Sequence, residues 1–98
     1  MHASIWNFTG NPDDLEPRLE ELVGRIPQGS LLLMLVLRRE DGFTVVDTCP
    51  TEDAYRRFRA SGWMEANCRE LGITFPQAVD YPVHLAVSAI AETPMAGR

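Results

Sequence analysis

The chain has 98 residues, with nine basic and fourteen acidic side chains and a formal charge of −5. That length supports one domain with a modest core. The acidic balance argues against nucleic acid or an anionic membrane as the main partner, since both require a basic footprint.

Residues 2–9, HASIWNFT, alternate, and Trp, Phe, Ile and Thr favour a pleated, half-buried surface. A first strand is predicted here, with Ala3, Ile5 and Asn7 on one face and His2, Ser4, Trp6 and Phe8 on the other. MHASIWNFTG has no cationic segment followed by a long apolar one, so it does not read as a leader, and a cytoplasmic protein is expected. Residues 13–26 carry Leu15, Leu19, Leu22, Val23 and Ile26 at helical spacing. Pro17 fits that helix if the regular part starts near Asp14 and the proline falls in its first turn. Leu31 to Leu37 is an unbroken apolar run, far short of the ~20 residues of a membrane-spanning helix. Asp41-Gly42 separates it from Phe43 to Val46, a strong hairpin signal in which Gly serves the turn. Thr51 is a candidate N-cap for a helix over 52–71, either one helix broken at Ser61-Gly62 or two short ones closed by Gly72. Residues 73–81 are read as a connection and 82–90, PVHLAVSAI, as the last strand. Residues 1–90 then form one domain, and 91–98 a tail with little to bury, expected to be disordered.

The order β-α-β-β-α-β is the ferredoxin-like, split βαβ pattern of the α+β class. Right-handed crossovers give one antiparallel sheet of order 4-1-3-2 with both helices on one face. In that arrangement strand 2 is an edge that is apolar on both faces. Trp6 and Phe8 are expected on the helix-free face with half of strand 2. A face that apolar invites a second copy of the chain, so a homodimer is expected, with a helix-covered monomer as the rival.

MHASIWNFTG, VVDTCPTEDAYRRF and SGWMEANCRELGI resemble the dimeric α+β-barrel superfamily over roughly residues 2–90. That superfamily includes antibiotic-biosynthesis monooxygenase-like proteins, haem-degrading monooxygenases and stress-responsive A/B barrels. The resemblance implies a pocket between helices and sheet. In haem-degrading members an Asn on strand 1 and a Trp on helix 2 line it, with an axial His further along. Asn7 and Trp63 match the first two. The helix after Trp63 reads MEANCRELGI and has no histidine, so haem iron lacks its anchor.

The candidate site follows from both lines of reading. Asn7 is the candidate oxyanion or peroxide donor and Trp63 the platform for a flat substrate. His84 is the candidate base, expected beside Trp6 across the sheet. Asp47 is expected near His2 and Ser4, where acid and imidazole suit proton transfer, so Trp6 and Asp47 are candidate ligand-binding residues. Plain alternatives stand beside each: core or interface packing for Trp63, a local hydrogen bond for Asn7, turn stabilisation for Asp47. Arg56 and Arg57 read as a solvated face paired with Glu52 and Asp53. Cys49 and Cys68 have no metal-site spacing, and no metal or other cofactor is expected. Two buried thiols are the plain reading, a redox role for Cys49 the alternative. The expectation is a monooxygenase-like or small-aromatic-ligand-binding dimer, with a non-catalytic structural or stress-related barrel as the rival.

Overall fold

The computed structural model describes residues 1–27 and 29–87. The elements are β1 (His2–Thr9), α1 (Pro12–Gly24), β2 (Leu33–Arg39), β3 (Gly42–Cys49), α2 (Glu52–Ala60), α3 (Trp63–Leu71) and β4 (Gln77–Pro82). The four strands form one antiparallel sheet of order β2-β3-β1-β4, the expected 4-1-3-2 topology. Its register sets Ser4 opposite Asp47 on β3 and opposite Asp80 on β4.

Helix α1 starts two residues earlier than its apolar pattern indicates. Asn11 caps it by accepting from the Asp13 and Asp14 amides, and Pro12 takes the first helical position, where its missing N–H costs nothing. Pro17 therefore lies beyond the first turn, contrary to expectation. It is exposed, so the carbonyl it leaves unpaired on Asp13 faces water. In the 52–71 segment the two-helix alternative holds. Thr51 accepts from the Ala54 amide, Gly62 breaks the helix at φ 76°, and Gly72 ends α3 at φ 69°.

The hairpin turn is one residue earlier than Asp-Gly implies. Arg39 pairs with Gly42, leaving Glu40 and Asp41 as the loop. Gly42 belongs to β3, and close approach explains it: a Cβ there would lie 1.9 Å from the Phe8 carbonyl oxygen of β1. The last strand is the larger correction. β4 covers Gln77–Pro82, of which all but Pro82 fall in the stretch read as a connection, and 83–87 carry no strand. The Val83 amide donates to the Met1 carbonyl at 3.0 Å and ends the pairing. The remainder of the expected strand and the tail at 91–98 lie outside the described residues.

All three helices pack on one face of the sheet. Leu15, Leu19 and Leu22 of α1, Tyr55 of α2, and Met64 and Cys68 of α3 bury Trp6, Phe8, Phe43, Val45 and Cys49. Trp6 and Phe8 are each 2 % exposed, so they belong to the helix-covered core and not to the open face. The alternation of β1 was read correctly but assigned to the wrong side. Its helix face is His2, Ser4, Trp6 and Phe8 because these hold the larger apolar volume. The open face carries Ala3, Ile5 and Asn7, with Leu33, Leu35 and Leu37 of β2 and Val79 and Tyr81 of β4. Those last five side chains are 40 % exposed or more.

Candidate functional site

Between helices and sheet lies a cavity of about 220 Å³. Its floor is the helix face of the sheet: Trp6, Phe8, Val45, Asp47 and Cys49. Leu19, Leu22 and Val23 wall one side, and Tyr55, Phe58 and Met64 the other. Ile26, Gly29, Ser30, Leu31 and Pro50, from the loops flanking the hairpin, and Met34 of β2 complete it. A cavity of roughly 150 Å³ lined by Leu, Ile and Phe accepts benzene, so this one has room for a flat molecule of one to two rings.

Among the described residues Asp47 is the one carboxylate in the lining, and the register explains why. Phe43, Val45, Asp47 and Cys49 share the helix face of β3, so a polar residue in this series must project into the apolar layer. Trp6 Nε1–H donates to Ser4 Oγ at 2.9 Å, and Ser4 Oγ–H donates to Asp47 Oδ1 at 2.6 Å. Ser4 is 1 % exposed, so the centre of this relay is shielded from water. Burial pushes the Asp47 carboxyl above its ordinary range, and the Ser4 hydrogen bond offsets part of that rise.

A second polar cluster sits on the other side of Ser4. His2 Nε2 and Asp80 Oδ1 are 2.7 Å apart, and Arg56 Nη2 donates to the same oxygen at 2.9 Å. The His2 hydrogen bond, followed by Arg56, holds the Asp80 carboxyl below the usual carboxylate range. Arg56 also reaches Glu52, as expected of an i, i+4 pair. Arg59 donates to the Tyr55 hydroxyl at 2.8 Å and lies 5.0 Å above the Trp6 ring, fixing that ring from the helix side. Two aspartates thus flank one serine. Asp80 is paired with two nitrogen donors, and Asp47 with a hydroxyl alone.

The five sequence candidates separate. Trp6 and Asp47 line the cavity. Asn7 is exposed on the opposite face of the sheet, where its Oδ1 accepts from Thr44 Oγ1 at 2.7 Å. Trp63 opens α3 and packs tilted against Phe58 with ring centroids 5.5 Å apart, outside the cavity lining. His84 lies beyond β4 and is exposed; the residue across from Trp6 is Ala78. The structure therefore does not bring Asn7, Trp63 and His84 together. The His2–Asp47 pairing is also replaced, by Ser4 with Asp47 and His2 with Asp80. Ser4 and Tyr55 were not singled out, and Asp80 was hidden in the supposed connection. One usable signal was present: with Trp6 facing the helices, period-2 alternation puts Ser4 beside it.

Haem does not fit this lining. No histidine lies on α3 or lines the cavity, so an iron would have no imidazole there. Among the described residues, no group of three or more His, Cys, Asp or Glu is placed to hold a metal ion. No described helix is long and apolar enough to cross a membrane.

No family model and no curated protein matches the chain. Solved structures do. A candidate antibiotic biosynthesis monooxygenase from Deinococcus radiodurans superposes with a TM-score of 0.66 at 17 % identity, over 93 % of this chain and 100 % of that one. SnoaB, a cofactor-independent oxygenase from Streptomyces nogalater, gives 0.65 at 16 % identity, over 88 % and 95 %. The haem degrader MhuD from Mycobacterium tuberculosis, with two haems in its active site, gives 0.56 at 20 % identity, over 90 % and 100 %. Identities this low carry the fold and leave the chemistry to the residues themselves. The chain has the ferredoxin-like α+β fold of the antibiotic-biosynthesis monooxygenase-like proteins.

Proposed function

We propose that this chain is a monooxygenase-like, small-aromatic-ligand-binding protein of the cytoplasm that works as a homodimer. The observation that carries the ligand reading is the cavity, walled by Phe8, Tyr55, Phe58 and aliphatic side chains around one carboxylate. In its enzymatic form the ligand carries an activated methylene and reacts with dioxygen directly. One oxygen atom enters the product as a carbonyl and the other leaves as water with both methylene hydrogens. That stoichiometry is complete without metal or flavin. Likeness in fold to a cofactor-independent oxygenase supports it by analogy. Asp47, in the cavity, replaces His84 as the group placed to take a proton.

The homodimer is supported by the open sheet face, where Leu33, Leu35, Leu37, Val79 and Tyr81 stand exposed together. The scatter of Asn7, Trp63 and His84 favours the rival, a non-catalytic structural or stress-related dimer. Thermal unfolding with naphthalene tests the choice. A ligand at 100 times its Kd stabilises by about 2.7 kcal/mol, an upward Tm shift on the order of 10 °C for a domain this size. Ala54 lines the cavity, so Ala54→Phe, which fills part of it, should abolish the shift. Absence of any shift in the unaltered protein supports the rival.

A further inference from the structure

We infer that the ligand of this cavity is a neutral, flat apolar molecule presenting one O–H or N–H donor to Asp47 Oδ2, and that Asp47 is the residue that selects it. The inference rests on the ligand-binding reading above and names the chemical class of the ligand. Asp47 Oδ1 is committed to Ser4, whose hydroxyl is aimed there because its oxygen already accepts from Trp6. Oδ2 has no hydrogen-bond partner among the described residues, although Asp47 lines the cavity. Asp47 is half-buried, so its second oxygen is partly withdrawn from water, and a donor in the cavity restores the hydrogen bonding it has lost.

The nearby cations do not relieve it. Arg56 is taken by Glu52 and Asp80, and Arg59 by Tyr55 and the Trp6 ring. The other titratable groups in the lining are the Tyr55 hydroxyl, which accepts from Arg59, and the Cys49 thiol, directed at the backbone carbonyls of His2 and Thr51. One acceptor is thus left facing a space walled by hydrocarbon and aromatic rings. A ligand donor completes that acceptor. A ligand carboxylate would set two like charges together in a partly desolvated, largely apolar wall, which is unfavourable.

The experiment compares naphthalene, naphthol and naphthoate by calorimetric titration at pH 8. In the unaltered protein naphthol should bind about tenfold more tightly than naphthalene, the usual worth of a hydrogen bond to a charged group. Naphthoate should not bind. Asp47→Leu should reduce the naphthol preference below about threefold, since it removes the acceptor that supplies it. Asp47→Asn, which keeps an acceptor for Ser4 and offers an amide N–H, should gain naphthoate binding and serves where the leucine variant fails to fold. Equal affinity for naphthol and naphthalene, or naphthoate bound as tightly as naphthol, overturns the inference and leaves the ligand-binding reading standing. Failure of all three probes to bind overturns both.

Discussion

Asp47 and Asp80 lie on either side of Ser4, and their opposite environments give opposite pH behaviour. The folded-state pKa of Asp80 is depressed, so its stabilisation is fully present above the unfolded carboxyl pKa of about 4 and is lost as pH falls through the folded value. Asp47 is raised, so its ionised form opposes folding at neutral pH, and that opposition is relieved as pH falls through its folded pKa. Urea unfolding at pH 7 should therefore show a lower midpoint for Asp80→Asn and a higher one for Asp47→Asn. At pH 3 the Asp80→Asn difference should shrink. A stabilising substitution at a lining residue is the usual signature of a group kept for function. Gly42 is the clearest backbone constraint. Gly42→Ala must displace β1 from β3 because Phe8 O occupies the Cβ position, and a loss of more than about 2 kcal/mol is expected. Cys49 is 6 % exposed, and burial followed by the Asp47 charge pushes its thiol up. It should resist alkylation in the folded protein as a structural thiol does; such resistance would remove the redox reading, and rapid alkylation would support it.

At the scale of elements, legibility followed the local signals. β1, the hairpin strands, the α2 cap and the glycine-closed helices were readable because each has its own pattern or punctuation. Thr51→Ala should cost about 1 kcal/mol in chemical denaturation, the ordinary worth of a lost N-cap. β4 was not readable. Its helix face is Ala78, Asp80 and Pro82, so it lacks the alternation of large apolar residues that marks a strand. Residues 83–87 have that alternation and no strand, and Leu85 and Val87 are 76 % and 87 % exposed. Pairing with β1 decides the strand, and pairing is not written in the segment itself. The same gap hid half of the site. Placing Asp47 beside Ser4 needed only the antiparallel pairing of β1 with β3 that the topology implies. Placing Asp80 beside His2 needed the β4 register. The side of the sheet that each face of β1 takes depends on where the helices land, which is why Asn7 was drawn into a pocket it turns away from.

For the whole molecule, topology was legible and assembly remains a proposal with a direct check. Leu35 is central on the open face opposite Val46, and neither residue lines the cavity. Sedimentation equilibrium should show a dimer for the unaltered chain and an 11.0 kDa monomer for Leu35→Glu. A monomeric unaltered chain at micromolar concentration would contradict the homodimer. The central claim concerns the other face of the sheet, that the space beneath the helices is a binding site. Met34 and Met64 line that space, and Met1 is exposed at the chain start. NMR of methyl-labelled methionine during addition of naphthol reads these three at once, with Met95 as the fourth signal. The account predicts that the Met34 and Met64 methyl signals move while Met1 stays; Met34 and Met64 signals unmoved up to the solubility limit of the probe would contradict it.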